Sequence, residues 1–357
     1  MEQKQELLAL TPKELEALLL SLGEPKYRAA QIFPQLHKGH APEEMTNIGK
    51  ATREKLAGAA YYHLPRVKRK LVSALDGTIK YLFELSDGNC VESVLMHYEH
   101  GTTICISTQV GCNMGCKFCA STIGGKVRNL TPGELLGQVI AAGKDAGESI
   151  GGIVMMGIGE PLDNFDAVVR FLQLVNCPEG VNIGYRHISL STCGLVDRID
   201  QLAQLCLPIT LSISLHAADD VTRSAIMPIN KKYNIAALLA ACKRYFHKTG
   251  RRISFEYTLI AGKNDSREVA KELATLLNRS LRTRTETMPI HVNLIPVNEV
   301  KETGFQRSGA KAVKAFAAVL EQNGIRATVR RTLGADINAS CGQLRKESAE
   351  QEQSGDE

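Results

Sequence analysis

Three cysteines, Cys112, Cys116 and Cys119, stand in a C-x3-C-x2-C spacing within the stretch GCNMGCKFCAST that begins at Gly111. Three thiolates offered so close together can be brought onto one metal centre by a turn or helix, and Gly111 and Gly115 let the backbone fold tightly around it. On a [4Fe-4S] cluster such a set leaves the fourth iron without a protein ligand. An open corner of that kind is what a small molecule needs in order to chelate the cluster and be reduced there, with Phe118 beside the last cysteine as a shield. The other readings of the same residues are a zinc knuckle and three unrelated core cysteines. Zinc motifs usually come as paired C-x2-4-C halves with a fourth Cys or His nearby.

Further along, Gly157-Ile158-Gly159-Glu160-Pro161 combines glycines, which allow close approach of backbone to a ligand, with a carboxylate. Ser191, the run Ser214-Leu215-His216, and Asn298 each offer hydrogen bonds at the ends of predicted strands. Taken singly, each of these could equally cap a helix or satisfy backbone. Cys90, Cys177, Cys193, Cys206 and Cys242 read as small core residues on apolar faces or at strand ends.

The elements that must position these groups follow from periodicity and turn signals. Residues 1–60 carry helical periodicity, with Thr11-Pro12-Lys13-Glu14 as a capping box, and read as a helical accessory domain. Residues 61–102 hold short β-rich runs broken at Asp76-Gly77 and Asp87-Gly88, an antiparallel β-hairpin extension. From 103 to 345 strands alternate with helices. The strands are predicted near 103–107, 152–156, 187–190, 209–213, 254–259 and 291–295, with helices after Thr131, Asn164, Asn234 and Ser266. Six such strands imply an α/β fold with a parallel sheet, a partial (β/α)6 TIM-like barrel whose chemistry collects at the carboxyl ends of its strands. The polar motifs fall there. Residues 346–357, KESAEQEQSGDE, read as a disordered acidic tail.

A chain of 357 residues buries enough surface to fold without staples, so its ten cysteines are not explained by size. The opening MEQKQELL has neither an apolar signal core nor a small-residue cleavage site, and no apolar run reaches the roughly 18 residues of a membrane span. The expectation is a cytoplasmic protein with no membrane partner, whose cysteines serve metal binding or chemistry. The formal charge is +5 even with the acidic tail, so the folded body is more basic. Clusters at Arg66, Lys68, Arg69 and Lys70, at Arg251 and Arg252, at Arg282 and Arg284, and at Arg326, Arg330 and Arg331 could neutralise phosphates, or could be solvated faces. With no Trp and few aromatics, a surface for stacking single-stranded bases is not evident.

The cysteine spacing resembles the signature of radical S-adenosylmethionine (SAM) enzymes, and Gly157 to Pro161 resembles the motif that holds the amino group of the SAM methionine in them. Over nearly the whole chain the resemblance is to one family, the radical-SAM RNA adenine methyltransferases typified by RlmN and Cfr. It is carried by VESV at 91, CISTQVGCNMGCKFCAST from 105, MMGIGEPLDN from 155 and SLHAADD from 214. MPINKKYN from 227, HVNLIPVN from 291 and GADINASCGQLR from 334 complete it. The last is the most diagnostic, because generic radical-SAM chemistry has no use for a cysteine near the C-terminus. Here the wording departs from the family's usual GDDIDAA, with loss of acid beside Cys341, which bears on how this loop docks.

The resemblance implies a [4Fe-4S] cluster on Cys112, Cys116 and Cys119, and SAM held by Gly159, Glu160, Ser191, Ser214, Leu215, His216 and Asn298, two molecules per turnover. It also implies why Cys341 is there. Ring carbons of adenine are electron-poor and cannot attack a SAM methyl, so in the family Cys341 first takes the methyl as a sulfur nucleophile. A radical derived from a second SAM then removes a hydrogen from the methylated Cys341, and the resulting carbon radical adds to the ring. Glu92 takes the ring proton, and Cys105 attacks the Cys341 sulfur to release product as a transient disulfide. The implied substrate is C2 of adenosine 2503 in 23S rRNA, with adenosine 37 of some tRNAs. The implied partners are these RNAs and an external electron donor such as flavodoxin, for a monomeric enzyme. NLIPVN looks more like the C2 branch than the C8 branch of the Cfr type, which stays the alternative. A non-enzymatic zinc-stabilised RNA-binding protein would use the basic patches and three cysteines but give no reason for Cys341 or GIGEP.

Overall fold

The structure is a computed structural model that describes residues 4–282, 288–298 and 304–339. Two short strands, β1 (Gln5–Glu6) and β2 (Ala60–Tyr61), pair in parallel and close off an N-terminal helical unit of α1 (Pro12–Ser21), α2 (Tyr27–His37) and α3 (Lys50–Ala59). The Thr11 capping box forms: the Thr11 N–H donates to the Glu14 carboxylate at 2.8 Å and the Glu14 N–H donates back to the Thr11 hydroxyl. Such a cap is worth about 1 kcal/mol. Glu14 also receives both terminal nitrogens of Arg170, at 2.8 and 2.9 Å, which ties α1 to the body of the protein. Leu7, Leu8, Leu19, Ile32, Phe33 and Leu36 belong to the same apolar core as the rest of the chain, so this unit is not separable by packing.

The main sheet begins with β3 (Arg66–Val72), β4 (Ile79–Glu84), β5 (Cys90–Tyr98) and β6 (Gly101–Cys105), antiparallel neighbours in chain order. The turn signals are realised, since Gly77 and Gly88 take φ of 71° and 82° between strands. A small ribbon of β7 (Gln109–Gly111) and β8 (Lys126–Asn129) then brackets the cysteine loop. The alternating part follows: α4 (Pro132–Ala146), β9 (Ile150–Met155), α5 (Phe165–Val175), β10 (Ile188–Thr192), α6 (Val196–Gln204), β11 (Thr210–Ser214), α7 (Asp220–Ile226) and α8 (Ile235–Thr249). It ends with β12 (Ile253–Leu259), α9 (Arg267–Leu281), β13 (Ile290–Pro296), α10 (Ala310–Gln322) and β14 (Arg326–Val329).

The strand order is β14-β13-β12-β11-β10-β9-β6-β5-β4-β3, ten strands in one open sheet with β14 and β3 at its edges. The seven strands from β6 through β14 in that sheet are parallel. Six are those expected from periodicity. The seventh, β14, is only Arg326-Ala327-Thr328-Val329 and mostly exposed, too short and polar to show an apolar pattern. The hairpin extension is three antiparallel strands continuing the same sheet beyond β6.

Candidate active site

Gly111 leaves β7 with φ of +77°, and a Cβ there would sit 1.9 Å from the carbonyl oxygen of Gly125, so only glycine lets the chain enter this loop. The loop is then laced to itself. The Cys112 N–H donates to the Gly125 carbonyl at 3.1 Å, and the Thr122 hydroxyl donates to the carbonyls of Cys116 and Cys119 at 3.1 and 2.9 Å. Met114, Cys116 and Phe118 pack on a small apolar cluster of Cys193, Ile226, Met227, Ile260 and Val297, separate from the main core. In these surroundings burial pushes the Cys112 thiol up to about 12 and raises Cys116 as well. A bound cation reverses that preference, because it makes the thiolate the favoured form.

The three thiols line one pocket. Among the described residues no three Cys, His, Asp or Glu side chains converge closely enough to hold one metal ion. A zinc knuckle needs four donors about 2.3 Å or less from a single centre. A [4Fe-4S] cluster takes three thiolates, each on a different iron, and three thiols facing one pocket supply that set.

Beyond the cysteines the pocket wall is built from the carboxyl ends of β9, β10 and β11. Gly157 and Gly159 run against the end of β6: a Cβ on Gly157 would lie 2.6 Å from the Ile106 carbonyl oxygen, and one on Gly159, at φ of +106°, 2.6 Å from the Gln109 Cβ. That approach lets the Glu160 N–H donate to Gln109 Oε1 at 2.9 Å. The Glu160 side chain is buried. Its carboxylate accepts the Leu162 N–H at 3.0 Å and the Cys193 N–H at 2.8 Å, joining the loop after β9 to the loop after β10. Burial pushes its pKa up, and the backbone donors pull it partly back. A ligand ammonium would be a strong complement to such a carboxylate.

His216 sits just past β11 with φ of +58°, its ring edge-on to Phe118 at 5.0 Å. Its Nδ1 accepts the Thr258 N–H at 2.9 Å, and burial lowers its pKa to about 3. The ring is neutral, Nε2 carries the proton, and His216 is therefore a donor. Ser191, Ser214 and Asn298 line the same pocket, with Gly159 and Glu160. Leu215 does not; its side chain is fully buried in the main core, and its carbonyl accepts from Arg223 Nε at 3.1 Å.

Period-two alternation explains why polar side chains reach this spot. On β12, Ile253, Phe255, Tyr257 and Leu259 belong to the main core, which leaves Ser254, Glu256 and Thr258 for the opposite face. On that inner face Glu256 accepts from Asn293 Nδ2 at 2.7 Å and from the Ser254 hydroxyl at 3.1 Å, and Ser254 bonds His291 Nδ1 at 2.9 Å. Ser189 and Ser212 meet at 3.3 Å. The inside of the sheet is thus a hydrogen-bonded polar surface rather than a packed apolar one. Glu256, Thr192, Cys193 and Arg330 also line the pocket; Cys193 reads from sequence as a small core residue and Arg330 as part of a basic cluster, while Glu256 and Thr192 are not singled out from sequence. A charged residue inside the apolar run Ile253 to Leu259 was the available signal for Glu256. Nothing local marks Arg223, fully buried in α7, whose Nη2 donates to the carbonyls of both Cys193 and Ser214, at 2.8 and 3.1 Å, and holds the ends of β10 and β11 together.

A second pocket opens from the first and shares Met156, Gly157, Ile295, Asn298 and Arg330 with it. Glu92 on β5 and Cys105 on β6 line it, with Arg331 and Ala339. Both Glu92 and Cys105 are buried, and burial raises the pKa of the Cys105 thiol, opposed by Arg330 and the Met156 N–H. Cys341 lies outside the described residues, two positions past Ala339. All nine described cysteines are free thiols, so the expected pairing of Cys105 with Cys341 has only one member in view.

Other expectations shift. Cys206, expected in the core, is exposed, because the chain turns there with φ of +48° after α6. Arg66 and Lys68 pair with Glu84, and Lys70 with Asp145 at 2.6 Å, so this basic run is partly neutralised, whereas Arg330 and Arg331 stand at the second pocket. Arg284 lies outside the described residues. Among the described residues no helix is long and apolar enough to cross a membrane.

Residues 106–274 match the Radical SAM superfamily, and residues 5–61 match the ribosomal RNA large subunit methyltransferase N-terminal domain. A probable dual-specificity RNA methyltransferase RlmN of Alkaliphilus oremlandii is 51% identical over 345 residues, covering 96% of this chain and 98% of the relative. The protein of the same description from Clostridium novyi is 49% identical over 342 residues, covering 95% and 97%. A crystal structure of a radical SAM methyltransferase from Sphaerobacter thermophilus superposes with a TM-score of 0.89 at 44% identity, covering 95% of this chain and 98% of the other. Radical-SAM membership brings with it SAM and a [4Fe-4S] cluster as cofactors, and the fold, the cysteine pocket and the relatives agree: the chain belongs to the RlmN family of radical-SAM RNA methyltransferases.

Proposed function

We propose that this protein methylates C2 of an adenine base in RNA, adenosine 2503 of 23S rRNA and adenosine 37 of some tRNAs, through a methyl group carried on Cys341. The observation that carries this reading is the pair of joined pockets: one holds the cysteine triad with Glu160 and His216, the other holds Glu92 and Cys105, and Ala339, two positions before Cys341 in sequence, lines the second. What marks the second chamber is its lining, a buried carboxylate and a buried thiol facing the same space as Arg330 and Arg331. Cys112, Cys116 and Cys119 would hold the cluster, which when bound supplies the electron that makes radical chemistry on SAM possible.

The chain's own residues do the rest. Glu160 takes the ammonium of the SAM methionine, and the Nε2–H of His216 with Ser191, Ser214 and Asn298 orients the remaining polar groups. Cys341 accepts a methyl from one SAM and presents it to the base, and a second SAM serves the radical step. Glu92 receives the ring proton. Cys105 then gives up its proton and attacks the Cys341 sulfur, so that product leaves as the two sulfurs join, and an external reductant restores both thiols. Supporting Cys105 in this role is its place beside Arg330, whose charge favours the thiolate that burial otherwise opposes. The N-terminal unit and Arg331 would contact RNA, a donor such as flavodoxin would supply electrons, and the enzyme would act as a cytoplasmic monomer.

Two measurements test this. Mass spectrometry of rRNA from cells with and without the protein resolves 2-methyladenosine from 8-methyladenosine; appearance of the 8-methyl isomer instead assigns the protein to the C8 chemistry. Cys105→Ala should load Cys341 and add to RNA but not release it, so the purified variant runs as a ribonuclease-sensitive conjugate on a denaturing gel. Cys341→Ala should form none. A Cys105→Ala variant that turns over normally removes Cys105 from the release step.

A further inference from the structure

Lys80 is fully buried in the middle of β4, an unusual place for an ammonium unless something there needs it. The register places Lys80 opposite Val94 and Glu92 opposite Leu82, so the two are diagonal neighbours across β4 and β5. Their charged atoms are 3.2 Å apart. The same ammonium donates to the carbonyl of Asn338 at 3.0 Å, and Asn338 precedes Cys341 by three residues.

The turn between β3 and β4 grips the same segment from the other side. Asp336 accepts from the Ser73 hydroxyl at 2.6 Å and from the Ala74 N–H at 2.8 Å, and the Gly334 N–H donates to Asp76 at 2.9 Å. Residues 334–338 are therefore held by the β3–β4 hairpin at both ends, through Asp76 and Asp336 outside and through Lys80 inside.

We infer that Lys80 is a positioning residue that makes docking of the 334–338 segment and placement of the Glu92 carboxylate a single coupled event. One ammonium satisfies both groups. When the segment is docked, the charge is shared between the Glu92 carboxylate and the Asn338 carbonyl. When the segment lifts away, a buried ammonium has lost one acceptor and the balance of its contacts with Glu92 changes, and such coupling runs equally in both directions. The antiparallel extension is thereby part of the reaction's timing: Glu92 is set in place only while the chain leading to Cys341 is seated. This rests on the reading of Glu92 as the group that takes the ring proton.

The test uses the full chain and reads hydrogen exchange in peptides covering 334–339 alongside methyl loading of Cys341 by peptide mass. Lys80→Met should speed exchange at 334–339 at least tenfold and lower loading, while Lys80→Arg, which keeps charge and donors, should restore both in part. Asp336→Asn perturbs the exposed end of the grip without touching Lys80 or Glu92; it should reproduce the faster exchange and also slow product formation, even if Lys80→Met does not fold. Glu92→Gln separates the two readings. If it loads methyl normally but forms no product, Glu92 stands as the base; if it turns over normally, that assignment fails while the exchange data still report on docking. Wild-type exchange and loading in Lys80→Met would overturn the coupling. So would an Asp336→Asn variant with fast exchange but unchanged product formation.

Discussion

Replacing Glu160 by Gln changes one oxygen to an amide nitrogen and leaves the volume almost untouched. In the wild type one carboxylate oxygen accepts the Leu162 N–H at 3.0 Å and the other accepts the Cys193 N–H at 2.8 Å. Either orientation of the glutamine amide sets its NH2 against one of those N–H groups, leaving a buried donor unsatisfied at about 1–3 kcal/mol. In the free protein part of that cost is offset, because the variant no longer buries a charge whose pKa burial has already raised. In the complex a further charge-assisted bond to the ligand ammonium is lost, about 1.5–3 kcal/mol. The loss specific to binding thus corresponds to a drop of roughly 10- to 150-fold in affinity. Calorimetry with S-adenosylhomocysteine, which keeps the amino acid group and does not react, measures it on anaerobically prepared protein. The pH dependence supplies a second signature. Glu160 is protonated at a higher pH than an exposed glutamate, so wild-type affinity falls as pH drops toward that raised pKa, while the Gln variant lacks this fall. A Gln variant that binds within threefold of wild type, with the same pH profile, would show that Glu160 only ties two loops together.

Alanine at Cys112, Cys116 or Cys119 should each remove the brown colour and the iron, about four per chain in the wild type, with circular dichroism unchanged; stoichiometric zinc in its place would reject the cluster. His37 is buried with both ring nitrogens unpartnered, and burial lowers its pKa to about 4, so its neutral form stabilises the fold fully above about pH 6.5 and that stability is lost as pH falls toward 4. Between pH 7 and 5 the loss works out at about 2 kcal/mol from this group, and urea melts of His37→Leu should show that much less acid sensitivity than wild type. RNA binding should weaken steeply with salt, and Arg331→Gln should lower the slope of log K against log salt by about one; an unchanged slope would place the RNA elsewhere than the mouth of the second pocket.

Much of this protein is legible without coordinates where the determinant is local. The cysteine loop is marked by spacing and by glycines at positions that a Cβ would block, as Gly111 shows with its 1.9 Å approach to Gly125. Capping at Thr11 and turns at Gly77 and Gly88 depend on residues within a few positions of one another, and all three form as read. The parallel strands announce themselves because their outer faces are buried under helices. What only the tertiary structure decided involves partners far apart in the chain. Lys80 and Asn338 are 258 residues apart, and nothing near either predicts their bond. Leu215 sits inside a motif of pocket residues yet points into the core, because adjacent residues of an extended chain face opposite ways. The N-terminal helices look like a separate unit in sequence and do pack on one another, but Leu7 and Leu8 ahead of α1 lie against α4 and α5, so the unit's apolar residues join the same core as the rest of the chain. Local chemistry can be read from residue type and spacing; which distant groups share a burial site is settled only when the chain has packed.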